Sequence, residues 1–418
     1  VEGDIGDSTS YSRMPIVQAQ IAADLPAFVL AVGDLTYGNA HGQATVDQHF
    51  NDVMVWARDA AYMPAWGNHE WDDPLNDDLR NYKGRFDFPN PQTSPPTADN
   101  TCAGKPEPCA GEDWYWFDYG NVRFIAYPEP WAGAWAAWNT QVQALMAAAQ
   151  ADPAIAFIVT FGHRPAYSSG HHPGSATLQG ILDALGASYS KYVLNLNGHS
   201  HNYERTVPQS GVVHITAGTG GASLEQDGAC LWLICTQPAW SAFRAMRLGP
   251  VQLRFTATTI EGAFICGPPG GGTNDVTCTQ GDVVDRFTII APIQHPNGVI
   301  EIPRGIVTIM AGQSVSFSGT GSDPHGNFPL TYLWDFGGGA VNQTMEDPGA
   351  VIFNTPGTYT VTFTVTDSLG LADLTPASRL ITVIVAPAPP DLVETALTNP
   401  PGAVALGGSF VVTDTVHN

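Results

Sequence analysis

Two histidines flank a single serine in Gly198-His199-Ser200-His201. Five other short motifs carry the same kinds of side chain. Asp4 lies in GDIGD, Asp34 and Tyr37 in GDLTY, and Asn68 and His69 in GNHE. His163 lies in GHRP, and His171 and His172 in SSGHHPG. Carboxylate, imidazole, amide and phenol groups together make a donor set for hard or borderline metal ions. Two ions about 3.5–4 Å apart need a bridging carboxylate and several terminal ligands. Asp34 suits the bridge. Asp4, Tyr37 and His201 could then complete one ion, and Asn68, His163 and His199 the other. On a short extended loop, side chains two residues apart project to the same side, which would aim His199 and His201 together.

Taken one at a time, these motifs have plainer explanations. Asp after Gly commonly makes a turn or a helix N-cap. A lone histidine is often a hydrogen-bonded structural residue, and His-His can be a solvated loop. The Gly-rich Thr216–Ser223 lacks the Lys and Ser/Thr of a phosphate-binding loop, so it reads as a tight turn behind the site. His214 reads as a structural histidine in a strand, and His41 as a loop residue. Trp131, Trp135 and Trp138 read as helix core rather than cleft, and Glu204 with Arg205 as a local ion pair.

The elements that would position these residues decide between the two explanations. AFVLAV (27–32) is a continuous apolar run ending in Gly-Asp, the pattern of a buried strand with a polar loop at its C-terminal end. YMPAW runs into GNHE, AIAFIVTF into GHRP, and YVLNLN into GHSH in the same way. Amphipathic helix candidates at AWNTQVQALMAAAQ and ATLQGILDAL lie between them. This alternation predicts an α/β layered domain over residues 1–292. In such folds ligands bind in loops beyond the strand C-termini, where four of the motifs fall.

Residues 298–385 change character to alternating strand text with turn signals, which predicts an all-β immunoglobulin-like sandwich. A Pro/Ala linker and a shorter β segment follow over 386–418. A chain of 418 residues should hold two or three domains.

The net charge of −23 disfavours nucleic-acid binding through a general basic patch. No apolar run is long enough to suggest a membrane span. Six cysteines fall in three close pairs, Cys102/Cys109, Cys230/Cys235 and Cys266/Cys278. None is a Cys-x-x-Cys knuckle, so local disulfides are expected rather than thiolate metal sites. Disulfides imply an oxidising setting: secreted, cell-surface or periplasmic. The opening VEGDIGD reads as a processed or trimmed N-terminus.

The ordered series GDxG, GDxxY, GNHE, a histidine after a strand, then GHxH resembles the calcineurin-like metallophosphoesterase superfamily. The tyrosine of GDLTY and the phrase GHSHNYER resemble its purple acid phosphatase branch. One position departs from the pattern: Thr160 stands where the fourth motif usually has Val. The resemblance implies a four-layer α/β/β/α sandwich. It also implies Fe(III) on Asp4, Tyr37 and His201, and Fe(II), Zn(II) or Mn(II) on Asn68, His163 and His199, with Asp34 bridging. His69 would be the substrate-contacting acid, and His171 or His172 a further histidine reaching phosphate. The implied reaction is hydrolysis of a small phosphate monoester by a metal-activated hydroxide attacking in line. A phosphodiesterase of the same superfamily is the alternative, and a surface adhesin with a decayed catalytic domain a more distant one. YLWDFGGG and FNTPGTYTVTFTVTDSLG resemble a PKD-type repeat, and the last segment the start of a CARDB-type module. Such modules usually attach an enzyme to a surface or polymer.

Overall fold

In the computed structural model, four short apolar stretches of the N-terminal half become strands, three of them largely buried and the fourth, Ala61–Ala65, buried only at its C-terminal end, and each ends where a polar motif begins. The structure describes residues 1–71, 82, 84–94, 112–130, 134–225, 236–272, 275–292, 295–323, 326–385, 393–399 and 402–417. These form two units, Val1–Gln294 and His295–Asn418.

The first unit is a layered α/β fold. Its larger sheet runs β3-β4-β5-β6-β8-β7-β9. The strands are β3 Trp116–Tyr119, β4 Val122–Ala126, β5 Phe157–Phe161, β6 Tyr192–Asn197, β7 Tyr203–Thr206, β8 Val213–Ala217 and β9 Ser241–Ala245. β4, β5, β6 and β8 are parallel. They are buried along their whole length, as covered parallel strands must be. The polar side chains they bury, Thr160, Asn195, Asn197, His214 and Thr216, hydrogen-bond to one another across the strands.

A second layer pairs β1 (Phe28–Val32) with β2 (Ala61–Ala65) in parallel. β10 (Val251–Phe255), β11 (Thr259–Ile265) and β12 (Val283–Ile290) form an antiparallel meander. The N-terminal segment links the two groups. Val1 exchanges backbone hydrogen bonds with Val251, and Glu2 bridges to Ala31.

Helices α1 (Met14–Ala23) and α3 (Gln43–Ala57) pack together, with α2 (Gly38–His41) and α4 (Asn68–Trp71) beside the site loops. α5 (Ala134–Ala151) and α6 (Ala176–Ser188) match the two helices expected from periodicity. Trp135 and Trp138 of α5 are core residues as expected, donating to the carbonyls of Pro128 and Ala126. Trp131 lies outside the described residues. Among the described residues no helix is long and apolar enough to cross a membrane.

The second unit is all-β. One face is β13 (Asn297–Ile302), β15 (Ser314–Ser322) and β17 (Gly349–Ile352). The other is β14 (Val307–Met310), β19 (Ala377–Ile384), β18 (Gly357–Thr366) and β16 (Thr331–Asp335). Trp334, Phe336, Phe363 and Phe317 fill its core, with Trp334 stacked on Phe363 at 4.5 Å. A separate pair, β20 (Val393–Leu397) and β21 (Asp414–His417), follows. Cys266 and Cys278 form a disulfide, as their spacing predicts. The other four cysteines lie outside the described residues.

Candidate metal centre

The parallel strands end together. β1 delivers Gly33 and Asp34, β2 delivers Gly67 and Asn68, β5 delivers His163, and β6 delivers His199 and His201. Asp4 arrives from the inserted N-terminal segment, its amide donating to the carbonyl of Gly33.

Two donor clusters result. In the first, Tyr37 Oη lies 3.3 Å from Asp4 Oδ1 and 3.0 Å from His201 Nε2, and His201 Nε2 lies 3.2 Å from the same Asp4 oxygen. In the second, His163 Nε2 lies 3.1 Å from Asn68 Oδ1 and 3.1 Å from Asp34 Oδ2. His199 joins Asp34 and His163, with ligand atoms all within 4.8 Å of one another. Ligands around a small ion with bonds of about 2.0–2.2 Å stand close to these separations from each other.

The histidines are oriented from behind. Nδ1 of His163 faces the carbonyl of Val32 at 2.9 Å, and Nδ1 of His201 faces that of Ser223 at 2.7 Å. A carbonyl only accepts, so each Nδ1 carries the hydrogen and each Nε2 is turned into the site. There Nε2 meets carboxylate, amide or phenol oxygens, an arrangement that calls for a cation between them. Without one, protons take that role. Burial opposes charge on His163, yet the adjacent Asp34 outweighs it and raises the pKa to about 10. Burial is likewise outweighed by Asp4 at His201, raised to about 9. His199 is driven the other way by burial, then by His163 and Arg164. The donor set therefore fits a pair of metal ions. Tyr37 is pushed well up by burial and by Asp4 and Asp34, so its phenol stays protonated unless a cation reverses that balance.

The local backbone is strained to make this possible. Asp4, Asp34, Tyr37 and His199 all have positive φ, from 50° to 70°. Such conformations cost on the order of 1–3 kcal/mol each in non-glycine residues and persist where the surroundings enforce them. Gly33 shows why glycine precedes the aspartate: its φ is +84°, and a Cβ there would lie 2.6 Å from His163. His199 also corrects the expectation of an extended loop. With φ of 70° and a tight Ser200 N–H to Gly198 carbonyl bond, the segment is coiled, and the two rings reach different clusters.

His69 donates its backbone N–H to Asp34 Oδ1, and its Nδ1 contacts Asn39 Oδ1 at 2.7 Å. Its Nε2 stands 3.8 Å from Asp34 Oδ2, with the side chain 28% exposed. Burial lowers its pKa despite the pull of Asp34. His172 stacks on His199, ring centroids 4.2 Å apart, and His171 packs edge-on against His172. Both histidines therefore sit at the rim of the second cluster.

Several residues that matter here were not singled out from sequence. Glu70, inside the GNHE motif, is fully buried and accepts from the amides of Asp34, Leu35 and Gly67. It ties the β1 and β2 loops together. Arg164 donates to His199 Nε2 at 2.9 Å while Glu129 holds its Nε at 3.0 Å. Glu204 and Arg205 do not pair with each other. Glu204 accepts from Ser169 and Ser241, pinning the loop that carries His171 and His172. Arg205 pairs with Asp285. Thr216–Ser223 lies behind Asp4, whose carbonyl accepts from Ala222. His214 is a buried strand histidine against Asn195, and His41 an exposed neighbour of Tyr11.

Residues 2–203 match the family profile for calcineurin-like phosphoesterases. This part of the chain is a calcineurin-like phosphoesterase domain. Residues 299–382 match the PKD domain, which accounts for the second unit's sandwich. The phosphoesterase part is similar to two Arabidopsis thaliana proteins named probable inactive purple acid phosphatase 1 and 27. They are 28% and 29% identical over 54% of this chain and 38% of each relative. The chain thus spans about two fifths of the length of these curated relatives. It is also similar to the solved purple acid phosphatase PPD1 from yellow lupin seeds, at 24% identity and a TM-score of 0.49, over 69% of this chain and 52% of that one.

Proposed function

We propose that the phosphoesterase domain, taken as residues 1–292, is a binuclear-metal hydrolase of phosphate monoesters, acid phosphatase-like in type. The observation that carries this reading is the pair of donor clusters at the ends of β1, β2, β5 and β6, each with its imidazole Nε2 turned inward. Asp4, Tyr37 and His201 would hold one ion, expected to be Fe(III). Asn68, His163 and His199 would hold the other, Fe(II), Zn(II) or Mn(II), with Asp34 between them. Bound ions would supply a water of lowered pKa and neutralise charge on the phosphoryl group. His199 can join only when Arg164 gives up its contact, and Glu129 keeps that guanidinium close enough to meet an anion. His69 stands at the rim where a phosphoryl oxygen or leaving group would lie. Its lowered pKa leaves it neutral near pH 7, so it would act as an acid only as pH falls or as substrate charge raises its pKa. His171 and His172 are further candidates for substrate contact.

The names of the two Arabidopsis relatives favour a second reading, a domain that keeps the fold without turnover. The complete donor set in this chain supports the active reading. The discriminating experiment measures metal content and the visible spectrum of protein never exposed to chelator, then turnover of a phosphomonoester and a phosphodiester at acid and neutral pH. The active reading expects two ions, faster monoester turnover, and colour that Tyr37→Phe bleaches. His69→Ala should keep both ions and lose about 10²–10⁴-fold in rate. Metal-free, inert protein would establish the second reading.

We also place the protein outside the cytoplasm, supported by the Cys266–Cys278 disulfide. The PKD-type sandwich over 298–385, with the 386–418 linker and partial CARDB-like segment, would attach it to a surface or polymer.

A further inference from the structure

His171, His172 and Glu225 form a second group of metal-type ligands, separate from the clusters described above. Their ligand atoms all lie within 4.8 Å of one another. His172 Nε2 stands 3.2 Å from Glu225 Oε1, close to the roughly 3.3 Å that separates two ligands around a tetrahedral ion with bonds of about 2.0–2.1 Å. All three residues are partly exposed, so solvent ions can reach them. We propose that this trio is a third metal site, selective for a zinc-like transition ion, at the rim of the binuclear centre.

The site is built from behind. Glu225 Oε2 accepts the His201 amide at 3.3 Å, and the Glu225 amide returns a bond to the His201 carbonyl. That reciprocal pair fixes the carboxylate that faces His172. The histidine loop is fixed independently, because buried Glu204 takes both the amide and the hydroxyl of Ser169. The His172 ring is further confined by its stack on His199. Preorganised imidazole and carboxylate donors select ions such as zinc over magnesium or calcium, which prefer all-oxygen sites. An ion held here engages the same imidazoles that are proposed to contact phosphate. Excess zinc should therefore inhibit turnover, a consequence that rests on the proposed function, whereas the site itself does not.

The test is zinc stoichiometry of the full chain by equilibrium dialysis and elemental analysis, for wild type and Glu225→Gln. The amide can still accept from His201, so the fold is retained; if that variant misfolds, His171→Gln replaces it. Expected is a third metal equivalent in the wild type, taken up as zinc beyond the two ions of the binuclear centre and weakened about tenfold or more in the variant, with zinc inhibition relieved in parallel. A wild type that stops at two metal equivalents overturns the site. So does a third equivalent indifferent to both substitutions, since the ion then lies elsewhere. One zinc bound, and lost with Glu225→Gln, would support this site while removing the binuclear reading. Two ions that Glu225→Gln does not disturb would do the reverse.

Discussion

The metal-centre end of the phosphoesterase domain and the core of the PKD domain are built on opposite terms. All eight non-glycine residues with positive φ among the described residues belong to the first unit, and four of them are candidate ligands. In the PKD domain positive φ falls only on glycines among those residues. Its core cluster is aromatic and aliphatic, with buried Asp323, Asp367 and Asp373 accepting backbone amides, whereas the metal centre buries Asp4, Asp34, Glu70 and His163 side by side. A core that carries no candidate ligands adopts relaxed backbone and apolar packing. A site that has to seize cations holds charge and strain that the surrounding sheets must restrain.

The largest effect should come from Asp34→Asn. It removes charge from the position between the proposed ions while leaving the size of the side chain unchanged. Turnover should drop by about a thousandfold or more, with metal content falling on elemental analysis. Retained ions and rate would break the contrast, since the buried charge would then be dispensable. Trp334→Ala probes the other side of it. Loss of a fully buried tryptophan should cost about 3–5 kcal/mol in the PKD transition seen by calorimetry, with metal content and turnover unmoved.

A finer comparison uses two glycines of equal φ, +84°, at Gly33 and Gly338. Alanine at Gly338 meets nothing within 4 Å and should cost only the conformational strain of about 1–2 kcal/mol. Alanine at Gly33 adds a collision with His163 and should cost about 2–5 kcal/mol together with metal affinity. Equal costs in chemical denaturation would show that the ligand packing is loose.

The smallest effect concerns pH. In metal-stripped protein, His163 and His201 are protonated partners of Asp34 and Asp4, with pKa values of about 10 and about 9. Because these exceed the unfolded value of about 6.5, the stability they confer is complete below that pH and is lost as pH rises toward 9–10. The melting temperature of the phosphoesterase domain should fall over that range. The PKD transition should stay level, having no imidazole–carboxylate pair among its described residues.

Strand ends were legible because each apolar run stops at a Gly-polar motif. That local pattern locates Asp34, Asn68, His163, His199 and His201 from the sequence alone. The alternation of the PKD strands and the short loop between Cys266 and Cys278 were local in the same sense. What escaped was long-range. Glu225 meets His172 across 53 residues, and Glu204 holds Ser169 across 35. Arg164 follows a ligand in sequence, but its contact is with His199, 35 positions away. Periodicity carries no signal for such pairs. His199 does not lie on an extended loop because a neighbouring glycine and a local turn override strand alternation there.

The insertion of the N-terminal segment between β1 and β10 makes the centre a record of how the chain closed on itself. Asp4 reaches its partners on a segment in which Val1 is bonded to Val251, 250 positions away, and Glu2 to Ala31. Loop closure on that scale costs entropy, and an ion that binds only the closed arrangement returns free energy to it by mass action. Metal uptake is then coupled to the sealing of the sheet, so a chain that captures its ions has, by that act, completed its topology.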